Sequence, residues 1–253
     1  MVDIKEIMSK AMTLRINRKF QEAHAFVTQQ STLHEGLKGI LWQHDPVFWS
    51  DIKAGICLLT RRNGDDAPFI NELWDKPDFL HSFHRHAPKL PKRRQELVDI
   101  LEREFVSTIG SACSLHWIVR DRKFAPWGVL SLVDLSLTHR RAEVMLGMMP
   151  NSPAGLSAAA MFVLFQFFFR IMKFNKLYSF VYDDNPRSLQ GALHLGFVVE
   201  GRLRRHVVDP RTGDHLDLIQ TGLLASDAFN PTTEKLMQRL LRPRALPGRS
   251  IGQ

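Results

Sequence analysis

The chain has 253 residues, 44% of them apolar and 24% charged, with a formal net charge of +8. Those proportions belong to a folded globular protein and exclude a disordered or low-complexity chain. Two cysteines, Cys57 and Cys113, are too few for a disulfide framework. The positive excess suits a polyanionic ligand without choosing among a phosphate-bearing small molecule, nucleic acid and an acidic membrane surface.

The first residues carry Asp3, Lys5 and Glu6 where a signal peptide would be apolar, so a cytoplasmic protein is expected. Ile4, Ile7, Met8 and Ala11 recur at helical spacing, and Phe20, Ala23 and Val27 repeat the pattern. Ser31 is placed to cap a third helix running through Leu41. Residues 1–50 therefore form a helical N-terminal extension. A lone helical hairpin cannot bury its own apolar face, so it must pack on the main domain, on a second copy or on another protein.

Asp45-Pro46 marks a boundary, and Ala54 to Thr60 is the first strand. Phe69, Leu73, Trp74, Phe79 and Leu80 follow on a helix broken near Pro77. Pro91 to Ile109 is a second helix, with Leu97, Ile100, Leu101 and Phe105 on one side and Lys92, Arg93 and Arg94 in its first turn. Strands are expected over His116–Asp121, Trp127–Ser136 and Arg141–Met149.

After Pro150 the loop Asn151-Ser152-Pro153-Ala154-Gly155 leads into an almost wholly apolar run, Leu156 to Met172. That run is near the lower limit for a membrane span, and the strands on either side favour a buried helix instead. A strand over Leu177–Tyr182, a helix opening at Asn185-Pro186-Arg187-Ser188 and a strand around Leu195–Gly201 come next. Asp209 to Asp214 is a hairpin turn, His215 to Leu224 the last strand, and Thr233 to Leu241 a short helix before a basic tail with Arg242, Arg244 and Arg249. A helix that starts after Pro and Gly leaves backbone N–H groups free at its positive end, which suits a phosphate.

In Ala142-Glu143-Val144, Ser152-Pro153-Ala154-Gly155-Leu156-Ser157, Asn185-Pro186-Arg187-Ser188, and Leu195-Gly196-Phe197 running into Glu200-Gly201, the chain resembles the GNAT superfamily of acyl-CoA-dependent N-acetyltransferases. The resemblance is closest to the branch of ribosomal-protein N-terminal and polyamine acetyltransferases. It implies an α+β fold with a central, mostly antiparallel twisted sheet flanked by helices. It also divides the chain into a catalytic domain over residues 51–226 and a short helix with a basic tail over 227–253. The family's loop reads Q/R-x-x-G-x-G/A; here Ser152 and Ser157 replace the first and last of these, and the loop is one residue short.

The resemblance further implies an N-acetyltransferase that uses acetyl-CoA as co-substrate and a primary amine as acceptor, by direct attack in a ternary complex. The acceptor stays open among a protein N-terminus, a polyamine and a nucleotide-linked amino sugar. Met148 and Met149 would meet the pantetheine arm through their backbone. Ala154, Gly155, Leu156 and Ser157 would cradle the pyrophosphate, since Pro153 has no N–H to offer. Asn185 would contact the cofactor and Ser188 would protonate the leaving thiolate, because Ala192 stands where many relatives carry a tyrosine.

Glu143 is the candidate general base. It is the one charge in an otherwise apolar strand, on the pleat face of Met145, Gly147 and Met149. The competing reading pairs it with Arg140, Arg141 or a neighbouring strand. His81, His84 and His86 lack a Cys or carboxylate to complete a metal set, so no metal is expected. No aromatic and basic platform supports nucleic acid. A non-catalytic acyl-CoA-binding module on the same fold is the alternative to an enzyme.

Overall fold

A computed structural model of the chain describes residues 4–17, 19–33, 37, 40, 52–105 and 114–242. Eight strands form one sheet: β1 (Ile52–Ala54), β2 (Cys57–Arg61), β3 (Leu115–Arg120), β4 (Pro126–Ser136), β5 (Arg141–Met148), β6 (Lys176–Tyr182), β7 (Val198–Val208) and β8 (His215–Leu224). Their order is β1-β2-β3-β4-β5-β6-β8-β7. Every neighbouring pair is antiparallel except β5 and β6. This is the mixed, mostly antiparallel sheet expected from the sequence.

The helices follow from amphipathic runs and their stops. Two N-terminal helices, α1 (Ile4–Ile16) and α2 (Phe20–Leu33), precede the sheet. Then come α3 (Ala67–Trp74), α4 (Pro77–Phe83), α5 (Arg94–Phe105), α6 (Leu156–Phe165), α7 (Pro186–His194) and α8 (Pro231–Leu241). Proline occupies one of the first helical positions of α3, α4, α7 and α8, where its missing N–H costs nothing. The helix expected to break near Pro77 is the pair α3 and α4.

Alternation along the strands sorts the core into two layers. Leu115, Trp117 and Val119 of β3 face α6, while Ile118 between them joins Phe69, Ile70, Leu73, Phe79, Leu97 and Leu101 on the other side of the sheet. The apolar run after Gly155 is buried from Ala159 to Phe169 except at half-buried Gln166, as its composition requires. It is α-helical to Phe165 and winds as a π-helix over Gln166–Ile171. Phe162, Phe165, Phe167 and Phe168 are fully buried there. Met237 of α8 joins the same core. Among the described residues, no helix is long and apolar enough to cross a membrane.

Three expectations need correction. The first strand is a hairpin: Gly55 adopts φ +57°, so β1 turns back into β2. A Cβ at Gly55 would collide with the Leu240 carbonyl oxygen, so the end of α8 rests on this turn. Ser31 lies inside α2 and does not begin a helix, and the rest of the expected third helix falls mostly outside the described residues. Helix α5 starts at Arg94, which leaves Lys92 and Arg93 before it; residues 106–109 and Cys113 lie outside the described residues.

The N-terminal helices share a buried cluster with the end of α5. Ile7, Ala11, Val27 and Leu37 bury against Phe105 at the end of α5.

Phe165→Ala is expected to lower unfolding free energy by about 3–5 kcal/mol, the usual cost of emptying a packed phenylalanine site. Urea denaturation read by circular dichroism measures it, and a loss under about 1 kcal/mol would show that this helix is not the packing centre.

Candidate functional site

The site begins where two parallel strands separate. β5 and β6 pair through Arg141↔Lys176, Ala142↔Leu177 and Glu143↔Tyr178, and no further. Both continue, β5 to Met148 and β6 to Tyr182, so a wedge opens beyond Glu143. On its other side each strand stays paired, β5 with β4 as far as Met148 and β6 with β8 as far as Tyr182. The two arms are thus held apart by their outer neighbours.

Register decides which backbone groups face the wedge. The Met149 N–H donates to the Trp127 carbonyl at 2.7 Å, which makes that rung a hydrogen-bonded one. Gly128↔Met148 is then a non-bonded rung, so Met148 turns its N–H and C=O away from β4, as do Leu146 and Val144 two and four residues earlier. Buried strand groups of this kind normally have partners. Met149 differs, because its carbonyl also accepts from the Ser152 N–H at 3.1 Å.

Glu143 sits at the vertex, opposite Val133 of β4 and Tyr178 of β6. The competing ion-pair reading does not describe it: Arg141 bonds Asp134 at 2.6 Å and the Tyr178 hydroxyl at 2.9 Å instead. Tyr178 donates a very short hydrogen bond to the same Asp134 carboxylate. Glu143 is left without a hydrogen-bond or ion-pair partner among the described residues. Burial, and secondarily the charge on Asp134, push its carboxyl up to about 7.

The loop ahead of α6 is shaped by Gly155, whose φ of +81° places it in the left-handed region. The Leu156 N–H closes a turn on the Pro153 carbonyl at 3.0 Å, so it is spent. The N–H groups of Ala154, Gly155 and Ser157 have no partner among the described residues, and Ala154 and Ser157 are exposed. A tight turn through a left-handed glycine, with free amides at a helix start, suits an anion. Ile56 and Leu240 flank it; the Leu240 Cδ2 lies 3.1 Å from where a Gly155 Cβ would stand.

Asn185 is the N-cap of α7, its side-chain oxygen accepting from the Ser188 N–H at 3.1 Å. Both residues stand just past the end of β6, and the Ser188 side chain is exposed.

Sequence reasoning missed the group that ties the open ends together. Arg85, just past α4, has a side chain only 2% exposed. It bonds Asp209 of the β7–β8 hairpin and Asp184 after β6, each at 2.5 Å, and donates from Nε to the His81 carbonyl at 3.0 Å. Its guanidinium lies 4.2 Å from the Tyr182 ring, and its backbone N–H donates to the Tyr182 hydroxyl at 3.3 Å. The only signal in the sequence was a lone arginine among histidines. His81, Asp184 and Asp209 converge closely enough to hold a cation, but the guanidinium already occupies that position. His86 bonds the Val208 carbonyl at 2.8 Å and so lies apart from such a set.

Helix α4 covers the arm that ends in Met148. A Cβ at Gly147 would stand 2.7 Å from the rings of both Phe79 and Phe83, which stack at 5.2 Å. Arg85 carries this cover across to the β6 arm. The arrangement is a wedge with backbone acceptors and donors on one edge, a carboxyl at its vertex, an anion cradle beyond it and an aromatic roof.

The family model described as "Acetyltransferase (GNAT) domain" matches residues 56–198. Among solved structures, the chain is similar to the spermidine N-acetyltransferase from Vibrio cholerae in complex with CoA and spermine. Identity is 21% and the TM-score 0.60, over 69% of this chain and 98% of that one. A mutant form of the Vibrio cholerae enzyme is similar at 22% identity and a TM-score of 0.57, over 69% and 96%. The same enzyme with manganese ions matches at 20% and 0.55, over 68% and 94%. At these identities the likeness concerns the fold. No curated protein matches the sequence.

The raised Glu143 carboxyl has a signed consequence for stability. The folded protein keeps this proton to about 7 while the unfolded chain releases it near 4.5, so rising pH destabilises the fold across that window. Glu143→Gln removes the effect. Its stability relative to the unsubstituted protein is expected to grow between those two pH values and to level off above. Urea titrations at several pH values measure the difference; a flat difference would mean an ordinary carboxyl.

Proposed function

This chain belongs to the GNAT acetyltransferase family, as the match over residues 56–198 shows, and on that premise we propose that it moves an acetyl group from acetyl-CoA to a primary amine by direct attack. The observation that carries the reading is the parting of β5 and β6 beyond Glu143, with an unpartnered carboxyl at the point of separation. The residues of the wedge suit an acetyl-CoA co-substrate. Leu146 and Met148 offer an unpaired strand edge for an amide-containing arm, of which Met148 lies nearest the anion cradle. Ala154, Gly155 and Ser157 offer N–H donors for a pyrophosphate, with Leu156 shaping the turn. Asn185 borders the same opening from the β6 side. Met149 contributes by fixing the strand end, since both its backbone groups are bonded within the protein.

In the reaction the amine nitrogen forms a bond to the thioester carbonyl carbon and the C–S bond breaks, so one proton must leave nitrogen and one must reach sulfur. Glu143 takes the first, directly or through a water; a carboxyl that titrates near 7 is matched to accepting a proton at neutral pH. Ser188 supplies the second. Its hydroxyl is free of hydrogen bonds among the described residues and stands in the turn after Asn185. Holding both reactants in one wedge provides the larger part of the acceleration.

Residues 51–226 are the catalytic domain in this reading and residues 1–50 an extension. The helix within 227–253 braces the cradle through Leu240. The N-terminal helices are a site for a second copy or a protein partner, and the cytoplasm is the compartment.

Release of free CoA from acetyl-CoA on adding amines tests the proposal. The expected kcat/KM rises with pH to an inflection near 7, set by the Glu143 carboxyl. Glu143→Gln is expected to lose roughly 10²–10⁴ in kcat and the inflection with it. A normal rate across pH in that variant would remove Glu143 from the mechanism.

A further inference from the structure

We propose that Asp134 is a positioning residue of the acetyl-transfer site: by binding Arg141 and Tyr178 it keeps both from pairing with Glu143. The inference rests on the acetyl-transfer reading and adds to it how the carboxyl at the vertex stays free.

Both groups are placed to reach that carboxyl. Arg141 stands two residues before Glu143 on the same pleat face of β5, and Tyr178 is opposite Glu143 on β6. An arginine beside a partly buried carboxylate ordinarily pairs with it, since opposite charge offsets the loss of water. Here the Arg141 Nη1 donates to the Asp134 carboxylate at 2.6 Å and to the Tyr178 hydroxyl at 2.9 Å. Tyr178 in turn donates its very short hydrogen bond to Asp134.

The backbone of β4 is bent to bring Asp134 there. Leu130 and Leu132 face the α6 core, and strict alternation would send residue 134 after them. Between Val133↔Glu143 and Ser136↔Arg141, however, β4 has two residues where β5 has one. Leu135 packs against the core instead, and Asp134, at φ +46°, carries its carboxylate to the Glu143 face. A left-handed aspartate held by its surroundings is a costly conformation of the kind that gathers at active sites.

The other charged and titratable groups on the elements packed around Glu143 are engaged elsewhere. Lys176 of β6 bonds Glu200 at 2.7 Å. The Tyr182 hydroxyl accepts from the Arg85 N–H, and the Arg85 guanidinium holds Asp184 and Asp209. His81 of α4 lies 3.9 Å from Asp209, and burial holds His84 towards its neutral form. Among the described residues of these elements, Arg141 is the cation that loss of the Asp134 charge would release.

The test reads the Glu143 carboxyl directly, by carbon-13 NMR of the full chain labelled at glutamate, with Glu143→Gln assigning the signal. Asp134→Asn removes the charge, keeps an acceptor for Tyr178 and suits the same backbone, because asparagine also adopts positive φ. The titration midpoint, about 7 in the unsubstituted protein, is expected to fall by about one pH unit or more as Arg141 turns to Glu143 and the Asp134 charge no longer raises it. Adding Arg141→Gln to that variant is expected to raise the midpoint again by about half a pH unit or more. Arg141→Gln alone is expected to move it by less than about half a pH unit, since that guanidinium is already held off. Equal midpoints in Asp134→Asn and the double variant would show that Asp134 acts only through its own charge, which overturns the inference. So would a rise of about one pH unit in Arg141→Gln alone, a result that needs no Asp134 variant to fold. The pH inflection of kcat/KM for CoA release, with spermidine, glycinamide and glucosamine as acceptors, is expected to follow the same order. Midpoints as expected without turnover of any acceptor would overturn the acetyl-transfer reading and leave Asp134 as the group that holds Arg141 off Glu143.

Discussion

Everything proposed for this protein depends on two strands that begin as neighbours and do not remain so. Three paired positions hold β5 and β6 together, and beyond Glu143 each is held only by its outer neighbour. An open strand edge in the middle of a sheet is costly, because its N–H and C=O groups lose water without gaining partners. The fold sustains it because the antiparallel ladders on both sides continue past the vertex and α6 underlies the strands with a fully buried apolar surface. The stability of the remaining sheet is what allows the gap.

The charges around the gap are arranged in two ways. Most carboxylates near it are tied to arginines, and the Arg85 group joins α4, the end of β6 and the β7–β8 hairpin through one buried guanidinium. Such a pair is weak evidence for net stability, yet it fixes α4 against the end of β6 and the hairpin, to which no strand ladder joins it. Glu143 is the exception, an isolated carboxyl at a place where burial raises its proton affinity. In the proposed reaction that isolation is what leaves the carboxyl free to take a proton, while its neighbours are held in salt bridges.

Much of the fold was legible in the sequence because period and punctuation are local. Apolar, strand-like runs marked β3, β4, β5, β6 and β8, Pro150 and Gly155 marked the loop before α6, and the nearly unbroken apolar run required a buried helix. The misreadings were local as well. The hairpin at Gly55 looked like one strand because a two-residue turn inside an apolar run leaves the composition unchanged, and Ser31 looked like a cap because a serine within a helix looks the same as one at its start.

The sequence by itself determined the order of elements, the glycine turn with free amides and the single acidic residue in β5, since each depends on residue type and near neighbours. Only the tertiary structure decided where β5 and β6 part, that Arg141 turns to Asp134 and not to Glu143, and that Arg85 closes over Asp184 and Asp209. Those outcomes bring together residues 7 to 124 positions apart, and competition among several arginines for several carboxylates is resolved by packing and distance, which no local pattern encodes.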